Sequence, residues 1–361
     1  MTRKNSVIEI GEGRSKSIYI EPTVTDTAIL LAFFNPAKFK RILRNIMYII
    51  QILKEKNIPY FVVECVFNNE PQEIPDANLV LHSNSYMFYK EQLLGKLEKV
   101  VPEQYTKIVC LDGDIMFDMP DWVDQTSKLL DKYDIIQPYD QGCWLTPDNT
   151  RIKSKKLSYA YGIVHRKATE YLPPNQLHAY HPGFVWAFKR DIFRKLGGFY
   201  DRAIIGNGDM MFTFNFFKDT LPHDWINRLE ANFGTDKWDE YHANFKKVNP
   251  SIGYLRTRAL HLFHGIKQNR QYSTRYKSVS HMLTKSWDET ISVNKDGLYE
   301  FKDPAINPLL LDYFKGRNED IPLQTANAIA ELEMRQTRKR FRRRRGSHHR
   351  RLGKAVFTQN I

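Results

Sequence analysis

Residues 107–114 read Lys107-Ile108-Val109-Cys110-Leu111-Asp112-Gly113-Asp114, and the rest of the chain is best read outward from them. Ile108 to Leu111 is a continuous apolar run of strand length, as expected for a strand buried on both faces of a helix-covered parallel sheet. It runs straight into two carboxylates. Alternate residues on a strand share a face, so Asp112 and Asp114 point the same way if the strand geometry continues through them. Gly113 between them lets the backbone bend and a ligand approach closely. Such a pair suits a hard divalent cation held against a diphosphate. The competing account is a solvated polar turn, and the apolar strand directly before the pair weighs against it.

Upstream, the pattern alternates. Ala28 to Phe34 is a second unbroken apolar run, stopped at Asn35-Pro36. Between Lys38 and Lys56 the apolar residues Phe39, Ile42, Leu43, Ile46, Ile49, Ile50 and Leu53 recur with helical period. Tyr60–Phe67 and the shorter 77–82 read as strands, and Leu93, Leu94, Leu97 and Val100 mark a helix over 87–100. This strand–helix alternation predicts a parallel sheet with helices packed on it. Ligands of such sheets bind beyond the carboxyl ends of the strands, where Asn35, Glu64, Asp112 and Asp114 all stand.

Downstream, residues 135–300 are less regular and rich in aromatics, glycine and proline. His261-Leu262-Phe263-His264-Gly265 offers imidazole, a ligand for the softer divalent cations. Arg270, Tyr272 and Arg275 follow within eleven residues, and an arginine fork can clamp phosphate oxygens. His181-Pro182-Gly183-Phe184-Val185-Trp186 supplies aromatic faces on which a sugar can stack. In Gly206-Asn207-Gly208-Asp209 the glycines permit a tight path that exposes Asp209, a carboxylate able to act as general base on a hydroxyl. The ordinary fate of such a tetrapeptide is a surface turn.

Composition bounds the class. The 361 residues are 42% hydrophobic and 26% charged, enough for a sizeable core. No run of 18 apolar residues occurs, and the N-terminus lacks the apolar segment of a secretory signal. Cys65, Cys110 and Cys143 have no metal-type spacing. A cytoplasmic enzyme is the expectation. The net charge of +13 suggests nucleic acid until it is located: residues 335–354 hold eleven Lys or Arg and no acid, and subtracting eleven leaves +2. The basicity belongs to a tail, read as disordered by self-repulsion. It could bind polyanions or an anionic membrane surface.

Taken together, these segments resemble the glycosyltransferases of the GT-A fold over roughly residues 27 to 280. The resemblance rests on Asn35-Pro36 after the first strand, on Leu111-Asp112-Gly113-Asp114, on Gly197-Gly198-Phe199 followed by Gly206-Asn207-Gly208-Asp209, and on His264-Gly265. It is nearest to the galactosyl- and N-acetylgalactosaminyl-transferase branches. It departs from them at Asp209, where those branches have two consecutive acids.

The resemblance implies an α/β, Rossmann-like, mostly parallel sheet flanked by helices. Residues 1–26 would be a lead-in, 27–318 one catalytic domain (27–134 for the nucleotide-sugar, 135–318 for the acceptor), and 319–361 a short helix and basic tail. It implies Mn2+ or Mg2+ on Asp112, Asp114 and His264, with Asp209 as catalytic base. The donor, a UDP-sugar by this reading, would meet Asn35, Glu64, Asp112, Gly113, Arg270, Tyr272 and Arg275. A glycan or glycoconjugate acceptor would meet His181, Gly183, Trp186 and Gly208. A nucleotidyltransferase ranks second, because Phe34-Asn35-Pro36-Ala37-Lys38 lacks the glycine-rich phosphate loop such enzymes carry. A polyanion-binding protein acting through its tail is the reading from another class.

Overall fold

The computed structural model describes residues 20–165, 180–221, 237–272, 274–275, 281–283 and 285–335. The tail from 336 onward, with the polyanion reading attached to it, lies outside the described residues, as do residues 1–19.

Twelve strands frame the site. They are β1 (Thr27–Phe34), β2 (Tyr60–Phe67), β3 (Leu79–Ser83), β4 (Lys107–Leu111), β5 (Ile115–Phe117) and β6 (Ile135–Gln137). They continue as β7 (Gln141–Leu145), β8 (Ile152–Ser158), β9 (Tyr180–His181), β10 (Val185–Lys189), β11 (Ile252–Tyr254) and β12 (Arg258–His261). Two helices matter most: α1 (Lys40–Glu55) and α2 (Lys90–Glu98). The main sheet runs β3-β2-β1-β4-β10-β6-β11. Its strands pair in parallel except β10, which is antiparallel to β4 and β6. The mostly parallel, helix-flanked sheet implied by the resemblance is therefore the one observed.

The apolar runs are unbroken because both faces of the sheet are covered. On β1, Ala28 and Leu30 join one core while Ile29, Leu31 and Phe33 join the other. On β4, Ile108 and Cys110 face the first core, Val109 and Leu111 the second. Strands β6, β10 and β11 extend the same sheet from the second half of the chain. A second sheet, β5-β12-β7-β8-β9, was not legible there.

That second sheet changes how Asp112 and Asp114 are presented. The strand β4 ends at Leu111, and a turn closed by the Ile115 N–H on the Asp112 carbonyl (3.2 Å) leads into β5. Strand geometry does not carry through the pair, so the two side chains part company. Gly113 faces inward: a Cβ there would lie 2.9 Å from the Ile46 side chain of α1. Its smallness serves helix packing against the turn.

The folded body also runs past residue 318. Residues 323–335 are helical, and Ile321 and Ala326 pack with Phe263. At the other end, residues 20–26 are docked, with the N–H of Thr23 2.9 Å from Asp124.

Candidate metal centre and acid-lined cleft

Strand pairing assembles the metal-type cluster. β12 lies antiparallel to β5 with His261 opposite Ile115, and the Leu262 N–H bonds the Asp114 carbonyl at 2.8 Å. His261 and His264 are thereby brought over Asp114. Potential ligand atoms of the three residues lie within 4.8 Å of one another. The Asp114 Oδ2 is 2.7 Å from Nε2 of His264 and 3.6 Å from Nε2 of His261, and the two imidazole nitrogens are 3.1 Å apart. Asp114 Oδ1 is buried with no hydrogen-bond partner among the described residues. A buried orphan carboxylate oxygen is costly, and two imidazole nitrogens facing each other need a shared cation or proton. The residues fit a divalent metal.

Electrostatics agree. Burial opposes ionisation of Asp114, but His261, His264 and Arg270 outweigh it and hold its carboxyl well below the usual range. Burial pushes His261 down to about 3, so its imidazole is neutral and can donate a lone pair. Burial and Arg270 lower His264, yet Asp114 and Glu319 carry it above its ordinary value. Glu319 Oε2 sits 3.3 Å from Nδ1 of His264. Arg270 Nη2 lies against the same ring, 2.6 Å from Nδ1 and 2.5 Å from Nε2, and its Nη1 donates to the Tyr272 hydroxyl at 3.3 Å. Arg275 lies against the rings of Phe88 and Tyr272, at 5.5 and 5.2 Å, and donates to Asn207.

Asp112 faces a different neighbour. Its Oδ1 is paired with Lys90 Nζ at 3.2 Å, at the mouth of a narrow cleft lined by Lys90, Glu91, Gly183, Trp186 and Asp209. Burial, Asp114 and Asp209 raise the Asp112 carboxyl against the pull of Lys90. The Asp112 N–H bonds the Phe184 carbonyl at 2.9 Å, and Phe184 holds a left-handed φ of 80°, strained for a residue with a side chain. The Phe184 ring touches both His181 (4.0 Å) and His261 (5.2 Å), joining the cleft to the metal-type cluster.

Asp209 is not on a surface turn. Asn207, at φ 81°, starts the helix Gly208–Phe214, which directs Asp209 into the cleft. Glycines make the fit possible: a Cβ on Gly183 would come within 2.6 Å of Asp209 Oδ2, and one on Gly208 within 2.4 Å of the Glu91 carboxyl carbon. Trp186 donates to the Pro182 carbonyl at 2.7 Å, and the Tyr139 hydroxyl meets His181 Nδ1 at 3.2 Å.

Two residues read as donor contacts already have partners within the chain. Asn35 spends its amide on Phe39 and Glu73, turning the chain into α1. Glu64, 1% exposed, accepts the backbone N–H groups of Glu73 and Ile74 at 2.7 and 2.8 Å. Both anchor the loop after β2. Conversely, His261, Glu319, Lys90 and Glu91 join the site without having been singled out. The sequence held a signal for two of them: His261 is half of a histidine pair, and Lys90 lies three and four residues before Leu93 and Leu94, on a buried stripe where charge is rare.

Burial and Asp209 push Glu91 up to about 7, against Lys90. A raised carboxyl costs stability once it ionises: the cost is absent below the unfolded value near 4.5 and complete above about 7. The rise corresponds to on the order of 3 kcal/mol. Glu91→Gln therefore raises the thermal midpoint at pH 8 and leaves it unchanged near pH 4.5. Equal effects at both pH values in calorimetry would contradict this account.

No family model matches the sequence, and no curated protein does so either. Among solved structures, the catalytic domain of Drosophila beta1,4-galactosyltransferase 7 in complex with xylobiose aligns at 10% identity and TM-score 0.34, over 80% of this chain and 99% of that one. Glucosyl-3-phosphoglycerate synthase from Mycobacterium tuberculosis, in complex with Mn2+, uridine-diphosphate-glucose and phosphoglyceric acid, aligns at 11% and 0.35, over 76% and 86%. The 4-diphosphocytidyl-2C-methyl-D-erythritol synthase of Anaerococcus prevotii aligns at 9% and 0.31, over 64% and 88%. At such scores the likeness carries nothing about substrate or reaction.

Proposed function

We propose that the chain is a metal-dependent glycosyltransferase acting on a nucleotide-diphosphate sugar. The observation that carries this reading is the convergence of Asp114, His261 and His264 around a buried, unpartnered carboxylate oxygen, beside a cleft into which Asp209 projects. A bound divalent cation would supply Lewis-acid neutralisation of the charge gathering on a departing diphosphate. Two imidazoles and one carboxylate form a softer donor set than magnesium prefers, which favours manganese.

The chain's own groups divide the remaining work. Arg270, next to His264, offers its guanidinium to the phosphate oxygens, and Tyr272 and Arg275 frame the same approach. Asp112, paired with Lys90, lies between the metal-type cluster and the cleft and meets the metal or the ribose. The acceptor sugar lies along His181, Gly183, Trp186 and Gly208, and Asp209 takes the proton from its attacking hydroxyl. A UDP-sugar donor and a glycan or glycoconjugate acceptor are the substrates of this reading.

Donor hydrolysis tests it without an acceptor having to be guessed. Purified protein is incubated with a panel of nucleotide sugars in manganese, magnesium or EDTA. One donor consumed in manganese and spared in EDTA is the expected result. Failure to bind or cleave any donor under every condition would make the cluster structural.

A further inference from the structure

Glu319 is 55 residues from His264 in sequence and touches it in space, with Oε2 3.3 Å from Nδ1. It is fully buried, in the segment that follows Arg317, and Arg317 Nη2 pairs with its other oxygen. We infer that Glu319 is a positioning residue for the metal centre: its carboxylate holds Nδ1 of His264 so that Nε2 faces the point shared by Asp114 and His261. The inference rests on the metal reading above.

Hydrogen-bond chemistry supports it. An ionised carboxylate can only accept, so the imidazole nitrogen facing Glu319 must carry the proton, and the opposite nitrogen keeps its lone pair. Arg270 also lies against the ring, but its Nη2 is near both nitrogens, at 2.6 and 2.5 Å, so it singles out neither as the one that keeps the lone pair. The pair with Arg317 on its other oxygen favours the charged, accepting form of Glu319. Carboxylates behind metal-bound histidines fix tautomer and ring orientation in this way.

The surrounding backbone is built for that contact. Gly265, directly after His264, has φ 103°, and a Cβ there would lie 3.2 Å from the Glu319 Cα. A glycine is needed for the two chain segments to come so close. On the other side, Asp320 caps α1: its oxygens accept the N–H groups of Lys40 and Arg41 at 2.8 and 2.7 Å. Helix α1 has no side-chain cap of its own and no acid in its first turn, so this distant carboxylate meets orphan donors and the positive helix end. Arg41 then donates to the Ile321 carbonyl at 2.9 Å and covers the Phe263 ring at 5.2 Å. Close packing on Gly265 and the pair with Arg317 hold Glu319 at the ring, while Asp320 serves the end of α1 instead.

Manganese binding to the full chain provides the test, read from the loss of the free aqueous Mn2+ electron paramagnetic resonance signal. Glu319→Gln is expected to weaken binding by about 10–100-fold. Asp320→Ala removes only the α1 cap. It should lower the thermal midpoint by about 2 °C and leave manganese affinity within about twofold of wild type. Wild-type affinity in Glu319→Gln, or equal weakening by both variants, would overturn the inference. Absence of manganese binding by the wild type, or wild-type affinity in Asp114→Ala, would instead overturn the metal reading itself. If Glu319→Gln does not fold, imidazole 15N shifts of the wild-type protein loaded with Zn2+ decide the matter. Metal on Nε2 with a protonated Nδ1 of His264 supports the inference, and metal on Nδ1 sinks it.

Discussion

Asp114→Ala is expected to lower metal-dependent donor turnover by about a thousandfold or more and to weaken manganese binding in parallel. The magnitude follows from what the side chain does. Asp114 is the one carboxylate among three converging groups, and one of its oxygens is buried without a partner. Removing it leaves two imidazoles and Arg270 around a buried space, an arrangement that repels a cation. Loss of about 4 kcal/mol of charge stabilisation at a leaving diphosphate corresponds to roughly three decades in rate. Asp112 provides the contrast, since it is paired with Lys90 and stands outside the three-residue cluster. The measurement is donor consumption at saturating manganese beside direct metal titration. A variant that keeps more than about a tenth of turnover would remove Asp114 from the metal site.

Asp209→Asn is expected to lower transfer to an acceptor by roughly 10²–10⁴ while donor affinity stays at its wild-type value. Asparagine keeps the shape for which Gly183, lacking a Cβ, leaves room and removes only the ability to take a proton. The neighbouring Glu91 complicates any pH profile, because it is pushed up to about 7. Its ionisation supplies a second carboxylate in the cleft able to take the acceptor's proton, so transfer should rise through neutral pH. In Glu91→Gln that rise should disappear with activity retained. The deciding comparison is single-turnover transfer against donor binding for each variant. If Asp209→Asn transfers as fast as wild type and Glu91→Gln is the inactive one, the base is Glu91.

Legibility in the sequence tracked the range of the forces involved. Strands β1, β2 and β4 and helices α1 and α2 stood out because a strand covered on both faces must be apolar throughout, while a helix on a sheet needs only one stripe. Asp112 and Asp114 stood out because they interrupt such a run. Asn35 and Glu64 were conspicuous for the same reason. Their place in or just after a strand could not reveal that their side chains were already committed to turning the chain and holding the loop at Glu73 and Ile74. His261 was visible as half of a histidine pair but had no claim over His264 until β12 was laid against β5.

The sequence by itself determined that this is an α/β chain with a mostly parallel sheet, that Asp114 and His264 are candidates for metal ligation, and that the net charge sits in a C-terminal run apart from a near-neutral body. Those properties follow from local composition and period, which each stretch carries whatever its surroundings. Only the tertiary structure decided that Asp112 and Asp114 diverge, that Gly113 is small for Ile46, that Glu91 shares the cleft of Asp209, and that Glu319 stands behind His264. Each of these depends on which segments the sheet and the docked C-terminal residues bring within a few ångströms. Burial there turns ordinary charged side chains into coupled groups, and no window along the chain contains both partners.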